Sequence, residues 1–138
     1  MVENLDHVWP RVEKFLSDAL QVETPPLPLS TLRKQVENSH SQLWGIAEPD
    51  RFLGALITRL VDYEENGKYV EIAYCGGVEI DRWLEKGLWE IESWAQSLGA
   101  KYVTLGGRAG WVRKLRPYGY EQSAVHLAKQ IKSESEVH

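Results

Sequence analysis

The order of elements written into this sequence predicts an α+β domain, a mixed and mostly antiparallel sheet flanked by helices. Three observations carry that expectation. Two helical periods open the chain, three strand-like runs joined by short turns follow, and a long amphipathic helix then leads to a further strand.

The first helix is read over Val8 to Leu20, where Val8, Val12, Phe15, Leu16 and Leu20 recur at helical spacing. Pro10 is tolerated because it falls in the first turn. Thr24-Pro25-Pro26-Leu27-Pro28 forbids helix and reads as a stiff connector. A short second helix follows, with Ser30 or Thr31 as its cap and Leu32 and Val36 facing inward. Leu43 to Ala47 is a strand, closed by the turn Glu48-Pro49-Asp50-Arg51. Phe52 to Val61 is a nearly continuous apolar run, as a strand covered on both faces requires. The Asn66-Gly67 pair within residues 64–68 marks a hairpin, and Tyr69 to Cys75 is the returning strand.

Gly76-Gly77 then opens the clearest helix, with Ile80, Leu84, Leu88, Ile91, Trp94, Ala95 and Leu98 on one face and Gly99 as a left-handed stop. The next strand, Tyr102 to Leu105, follows a crossover helix and so runs parallel to the strand ending at Cys75. A short helix over Ala109 to Leu115 stops at Pro117, Gln122 to Ile131 is a last strand, and residues 133–138 form a polar tail. One domain, 1–132, accounts for the rest.

Composition narrows the function classes. The chain has 138 residues and a formal net charge of −4, which argues against a nucleic-acid binder. Cys75 is the single cysteine, and the four histidines show no metal-ligand spacing. No stretch approaches membrane-spanning length, so a cytoplasmic protein without a membrane partner is expected. Six Trp and six Tyr against two Phe call for partners for their polar atoms, or for an aromatic surface.

The second half of the chain carries a more specific wording. Gly76-Gly77, then Ile91-Glu92-x-Trp94-Ala95-x-x-x-Gly99, then Gly107-Arg108-x-Gly110-Trp111, then Tyr118-Gly119-Tyr120, resembles the GNAT (acyl-CoA N-acyltransferase) superfamily, in its small phage form. The resemblance implies a GNAT-like fold, acetyl-CoA as cofactor, and a small-molecule or protein amine as acceptor. It implies a cofactor lying where the family's fourth and fifth strands splay apart, here the strand ending at Cys75 and Tyr102–Leu105. It implies cofactor contacts from Tyr74, Cys75, Gly76, Gly77, Val78 and Arg108. Some phage relatives are internal virion proteins, so a non-catalytic virion component or host-directed binding protein is the alternative, in the host cytoplasm or the virion. Three features depart from the family pattern. Glu79 and Asp81 stand where the family's Arg/Gln-x-x-Gly-x-Gly/Ala signature would receive phosphates. Leu115 stands where many members carry a Tyr acid. The family's first strand is missing or reduced to Val2–Leu5, and one strand stands for its last two.

Each candidate has two readings. Gly76-Gly77 is either an N–H nest for phosphate or a tight connection. Glu71, sharing a strand face with Tyr69, Ala73 and Cys75 by alternation, is either a general base or a solvated strand residue. Arg108, between glycines, meets cofactor phosphates or is one of a basic cluster with Arg113, Lys114 and Arg116. Tyr118 replaces the missing acid, and Tyr120 packs in the core in place of the family's Phe. Trp9, Trp83 and Trp89 offer a surface for a protein partner.

Overall fold

The computed structural model describes residues 4–63, 67–106, 110–124 and 127–131. The chain divides into two compact units, Met1–Arg108 and Ala109–His138. The first unit contains α1 (Leu5–Leu20), α2 (Leu29–Glu37), β1 (Gln42–Ala47), β2 (Phe52–Tyr63), β3 (Gly67–Gly77), a 3-10 turn at Ile80–Arg82, α3 (Leu84–Ser97) and β4 (Ala100–Leu105). Its sheet has the order β1-β2-β3-β4. The first two pairings are antiparallel and β3–β4 is parallel, as the crossover helix requires.

Local chemistry sets the helix ends. Asn4 caps α1, its side chain accepting from the His7 N–H at 3.3 Å. The capping of α2 differs from the sequence reading. Pro28 is the cap, its carbonyl accepting from Thr31 and Leu32, and Ser30 and Thr31 lie inside the first turn. Leu5 belongs to α1 and not to a preceding strand.

Two cores form on opposite faces of the sheet. On one, Trp9, Val12, Phe15, Leu16 and Leu20 of α1 pack with Leu32, Leu43, Ala55, Ile57 and Tyr74. On the other, Trp44 meets Trp94 of α3 edge to face, with ring centroids 5.4 Å apart. Adjacent strand residues point to opposite faces, so Leu43 and Trp44 divide between the cores. The buried part of α3 is Leu84, Gly87, Leu88, Ile91 and Ala95. Ile80 and Leu98, expected in that stripe, lie just outside the helix and are half-buried. The helix ends as its glycine predicts, with Gly99 at φ +79.

Two boundaries correct the sequence reading. Gly76 and Gly77 do not open a helix; they extend β3 and pair with Ala55 and Gly54 of β2. The helix proper waits until Leu84. In the second unit, residues 121–124 and 127–131 form no strand, and Leu127 and Ile131 are exposed. Apolar alternation there supplies side chains for a sheet face, but alternation alone supplies no hydrogen-bonded neighbour. That unit holds α4 (Gly110–Leu115), a 3-10 turn at Arg116–Tyr118 and a left-handed Gly119. The expected hairpin turn at 64–66, Arg108, and the tail from residue 132 lie outside the described residues.

Candidate active site where the parallel pairing ends

The feature that organises the site is a fault in β3. Ile57 faces Tyr74 and Thr58 faces Ile72, so Ala73 bulges out of the ladder without a partner. The parallel pairing with β4 ends at the same level, at Ile72–Leu105. Among the described residues β3 then runs on to Gly77 paired with β2 alone, and the edge that faced β4 has no strand partner beyond Ile72.

The bulge also reverses the alternation. Glu71 and Tyr74, three residues apart, come to one face, because the extra residue shifts the period-two pattern by one. Arg59 joins them: its guanidinium lies 3.5 Å from Glu71 Oε1 and 5.5 Å over the Tyr74 ring. It also donates to Gln35 at 2.9 Å and Ser41 at 3.3 Å, which ties β2 to α2. Tyr74 donates to Glu23 Oε2 at 2.8 Å, from the connector after α1. The result is a continuous polar chain, Glu23–Tyr74–Arg59–Glu71. Burial first, and then the hydrogen bond to Glu23, push the Tyr74 phenol up to about 12. Sequence reasoning placed Glu71 and Tyr74 here but missed Glu23, Arg59 and Gln35. Their spacing along the chain carries no local signal.

Cys75 departs from the expected face. It does not share one with Glu71, since the bulge turns it to the side of α3, opposite Leu56. Burial alone pushes its thiol up to about 12, which suits an inert side chain and not a nucleophile.

The two glycines have packing reasons. A Cβ on Gly76 would run into the carbonyl oxygen of Phe15 in α1. A Cβ on Gly77 would lie 2.7 Å from Gly54 Cα and 3.0 Å from the Trp83 indole. Trp83 is therefore buried over the Gly54–Gly77 pair, its Nε1 donating to the Val78 carbonyl at 2.9 Å. The Val78 N–H is also engaged, donating to Leu53 O at 2.7 Å.

Beyond Val78 the turn is full of charge. Glu79, in the left-handed region at φ 52, places one carboxylate oxygen 2.7 Å from Arg51 and the other 3.1 Å from Arg82. The Arg82 hydrogen bond first, and Arg51 with it, hold the Glu79 carboxyl below its ordinary range. Glu48 Oε1 is buried and accepts no hydrogen bond of good geometry; its partner is the Arg82 charge at 2.9 Å.

Of the remaining candidates, Tyr118 sits on the 3-10 turn of the second unit and is half-exposed. Trp9 and Trp83, expected at the surface, are core residues, and only Trp89 of the three is exposed. Among the described residues no three of His, Cys, Asp or Glu gather as a metal site needs, and no helix is long and apolar enough to cross a membrane.

In fold the chain is similar to solved acetyltransferases. A GNAT family acetyltransferase of Staphylococcus aureus matches with a TM-score of 0.66 at 16% identity, over 94% of this chain and 95% of its own. A ribosomal-protein-alanine N-acetyltransferase of Brucella melitensis gives 0.61 at 13%, over 92% and 94%. An aminoglycoside acetyltransferase from an uncultured soil sample, in complex with trehalose, gives 0.63 at 12%, over 90% and 88%. No protein-family model and no curated protein matches the sequence.

Proposed function

We propose that the protein transfers an acyl group from acyl-CoA to an amine carried by a small molecule or a protein. The observation that carries this reading is the end of the β3–β4 pairing at Ile72–Leu105, beside the Ala73 bulge, while β3 runs on to Gly77. An unpaired strand edge offers N–H and C=O groups to an extended, amide-bearing arm, as an added strand would use them. The pantetheine of acyl-CoA is such an arm, and the residues from Ala73 to Gly77 fit it. The chemistry acyl-CoA supplies is an activated thioester.

The chain's own residues do the rest. The strand edge orients the acyl carbon, and Glu71 takes the proton that the attacking amine releases, directly or through water. Arg59, fixed by Gln35 and Ser41, positions Glu71, and Glu23 fixes Tyr74 beneath it. Two of the acetyltransferases above state different acceptors in their names, an aminoglycoside and a ribosomal-protein alanine, so the fold leaves the acceptor to residues of this chain. Calorimetric titration with acetyl-CoA, followed by thiol release against a panel of amines, tests the reading. Binding is expected in wild type and in Glu71→Gln, with turnover lost in the variant. No heat at millimolar acetyl-CoA in wild type counts against acyl transfer.

A second reading has its own observation. The diphosphate end of acyl-CoA does not fit the turn as it stands, because Glu79 fills the space between Arg51 and Arg82. That favours a non-catalytic protein of the same fold that acts by binding a partner, with exposed Trp89 on its surface. A phage setting, in the host cytoplasm or the virion, rests on the wording of residues 76–120 alone.

A further inference from the structure

We infer that the acceptor is an aliphatic diamine or polyamine, and that Tyr63, Tyr69 and Tyr102 hold the amine that does not react. The inference rests on the acyl-transfer reading for the chemistry at Glu71 and adds the surface that recognises the rest of the acceptor. Tyr69 lies two residues before Glu71 on β3, so both side chains leave one face of the sheet. Tyr102 of β4 pairs with Tyr69 as Thr104 pairs with Glu71, and partners across a ladder share a face. Tyr63 of β2 joins them, its ring centroid 6.1 Å from that of Tyr69. Tyr63 is 55% exposed and Tyr102 70%, so these rings stand in solvent on the face that carries the candidate base.

Charge selects a cation as the occupant. The polar chain on this face sets two carboxylates, Glu23 and Glu71, against the one guanidinium of Arg59. Arg59 is already committed to Glu71, Gln35 and Ser41, so an acidic acceptor meets repulsion before it meets a partner. The same face also shows a cation over a tyrosine, with Arg59 at 5.5 Å from the Tyr74 centroid. An ammonium is drawn to a tyrosine ring by the same attraction. The Glu71 charge reaches the rings, since with partial burial and Tyr63 before it, it raises the Tyr69 phenol. Spacing then sets the length of the acceptor. Alternate residues of a strand stand ~6–7 Å apart. An extended chain advances ~1.2 Å per bond, so amines separated by about four methylenes reach from Glu71 to the Tyr69 ring. The reacting nitrogen, neutral when it attacks, gives one proton to Glu71 as its bond to the acyl carbon forms. The carbon–sulfur bond breaks, and the sulfur leaves with the electron pair and takes a proton from water. The second amine keeps its proton, as a lysine does at neutral pH, and its charge stays over the tyrosines.

The test measures thiol release from acetyl-CoA with putrescine, with butylamine, which lacks the second charge, and with γ-aminobutyrate, which reverses it. Wild type is expected to favour putrescine over butylamine by ~10-fold or more in kcat/KM, with γ-aminobutyrate the poorest of the three. Tyr69→Leu and Tyr102→Leu are each expected to cut that preference by ~3–10-fold, through the KM for putrescine, whereas Tyr69→Phe keeps the ring and retains it. Circular dichroism reports that each variant is folded. Equal use of putrescine and butylamine by wild type, or a preference that survives loss of both rings, overturns the inference and leaves acyl transfer standing. Where no amine releases thiol, calorimetric titration of putrescine into wild type and the double variant decides. Binding that the double variant loses keeps the cation site and removes acyl transfer; no binding to wild type, or equal binding to both, overturns the inference.

Discussion

Replacing Gly76 by alanine tests whether the glycine pair serves packing. The added Cβ meets the backbone of α1, with the Phe15 carbonyl carbon at 3.1 Å and its oxygen closer still, and Ala19 Cβ at 3.6 Å. A flexible side chain can swing aside; a helix carbonyl moves only with the helix. Overpacking of a core costs ~1–3 kcal/mol, and the backbone obstacle puts this case at the upper end, ~3 kcal/mol. With a urea dependence of ~1–3 kcal/mol per molar, the unfolding midpoint falls by ~1–3 M. Gly87→Ala provides the contrast in the same assay. Its Cβ would meet the Trp83 ring at 3.6 Å and Ile46 Cδ1 at 3.9 Å, ordinary contacts, and alanine in a helix interior gains ~0.5–1 kcal/mol over glycine. Gly76→Ala with a midpoint within ~0.3 M of wild type would refute the packing account and return Gly76 to a ligand-binding role.

Leu88→Ala, or Ile91→Ala, removes a fully buried side chain of α3 and should cost ~2–5 kcal/mol, seen as a lower thermal midpoint; an unmoved midpoint contradicts the helix register. Thr58→Val keeps the volume but strands the Trp44 indole N–H and Gln42 Oε1, now 2.9 and 3.0 Å from the buried hydroxyl. A loss of ~1–3 kcal/mol in chemical denaturation is expected. Stability should also fall in alkali. Cys75 stays protonated in the folded chain from its ordinary 9.0 up to about 12, and Tyr74 from 10.0 up to about 12. The folded state then holds more protons than the unfolded one, so their contribution is intact below pH 9 and lost as pH rises toward 12. Denaturation midpoints across that range should fall less steeply in Cys75→Ala.

The sequence by itself determined the elements whose chemistry is local. Helical periods marked α1 and α3, the doubly buried run marked β2, Gly99 marked a helix end, and the crossover made β3 and β4 parallel. The same local reasoning went astray where a long-range contact decided the outcome. Gly76 and Gly77 looked like a helix start because nothing in their neighbourhood announces that α1 and Trp83 press against them. The Ala73 bulge is equally silent, since Val70, Ile72 and Tyr74 alternate with less buried residues as though the strand were regular. Only pairing with β2 reveals the extra residue, and with it that Glu71 shares a face with Tyr74 and Arg59 and not with Cys75. Arg51 and Glu79 stand 28 residues apart and Glu23 and Tyr74 stand 51 apart, so their meetings belong to the tertiary structure. Periodicity records which side of an element is apolar; which charged groups close on one another depends on how the elements pack.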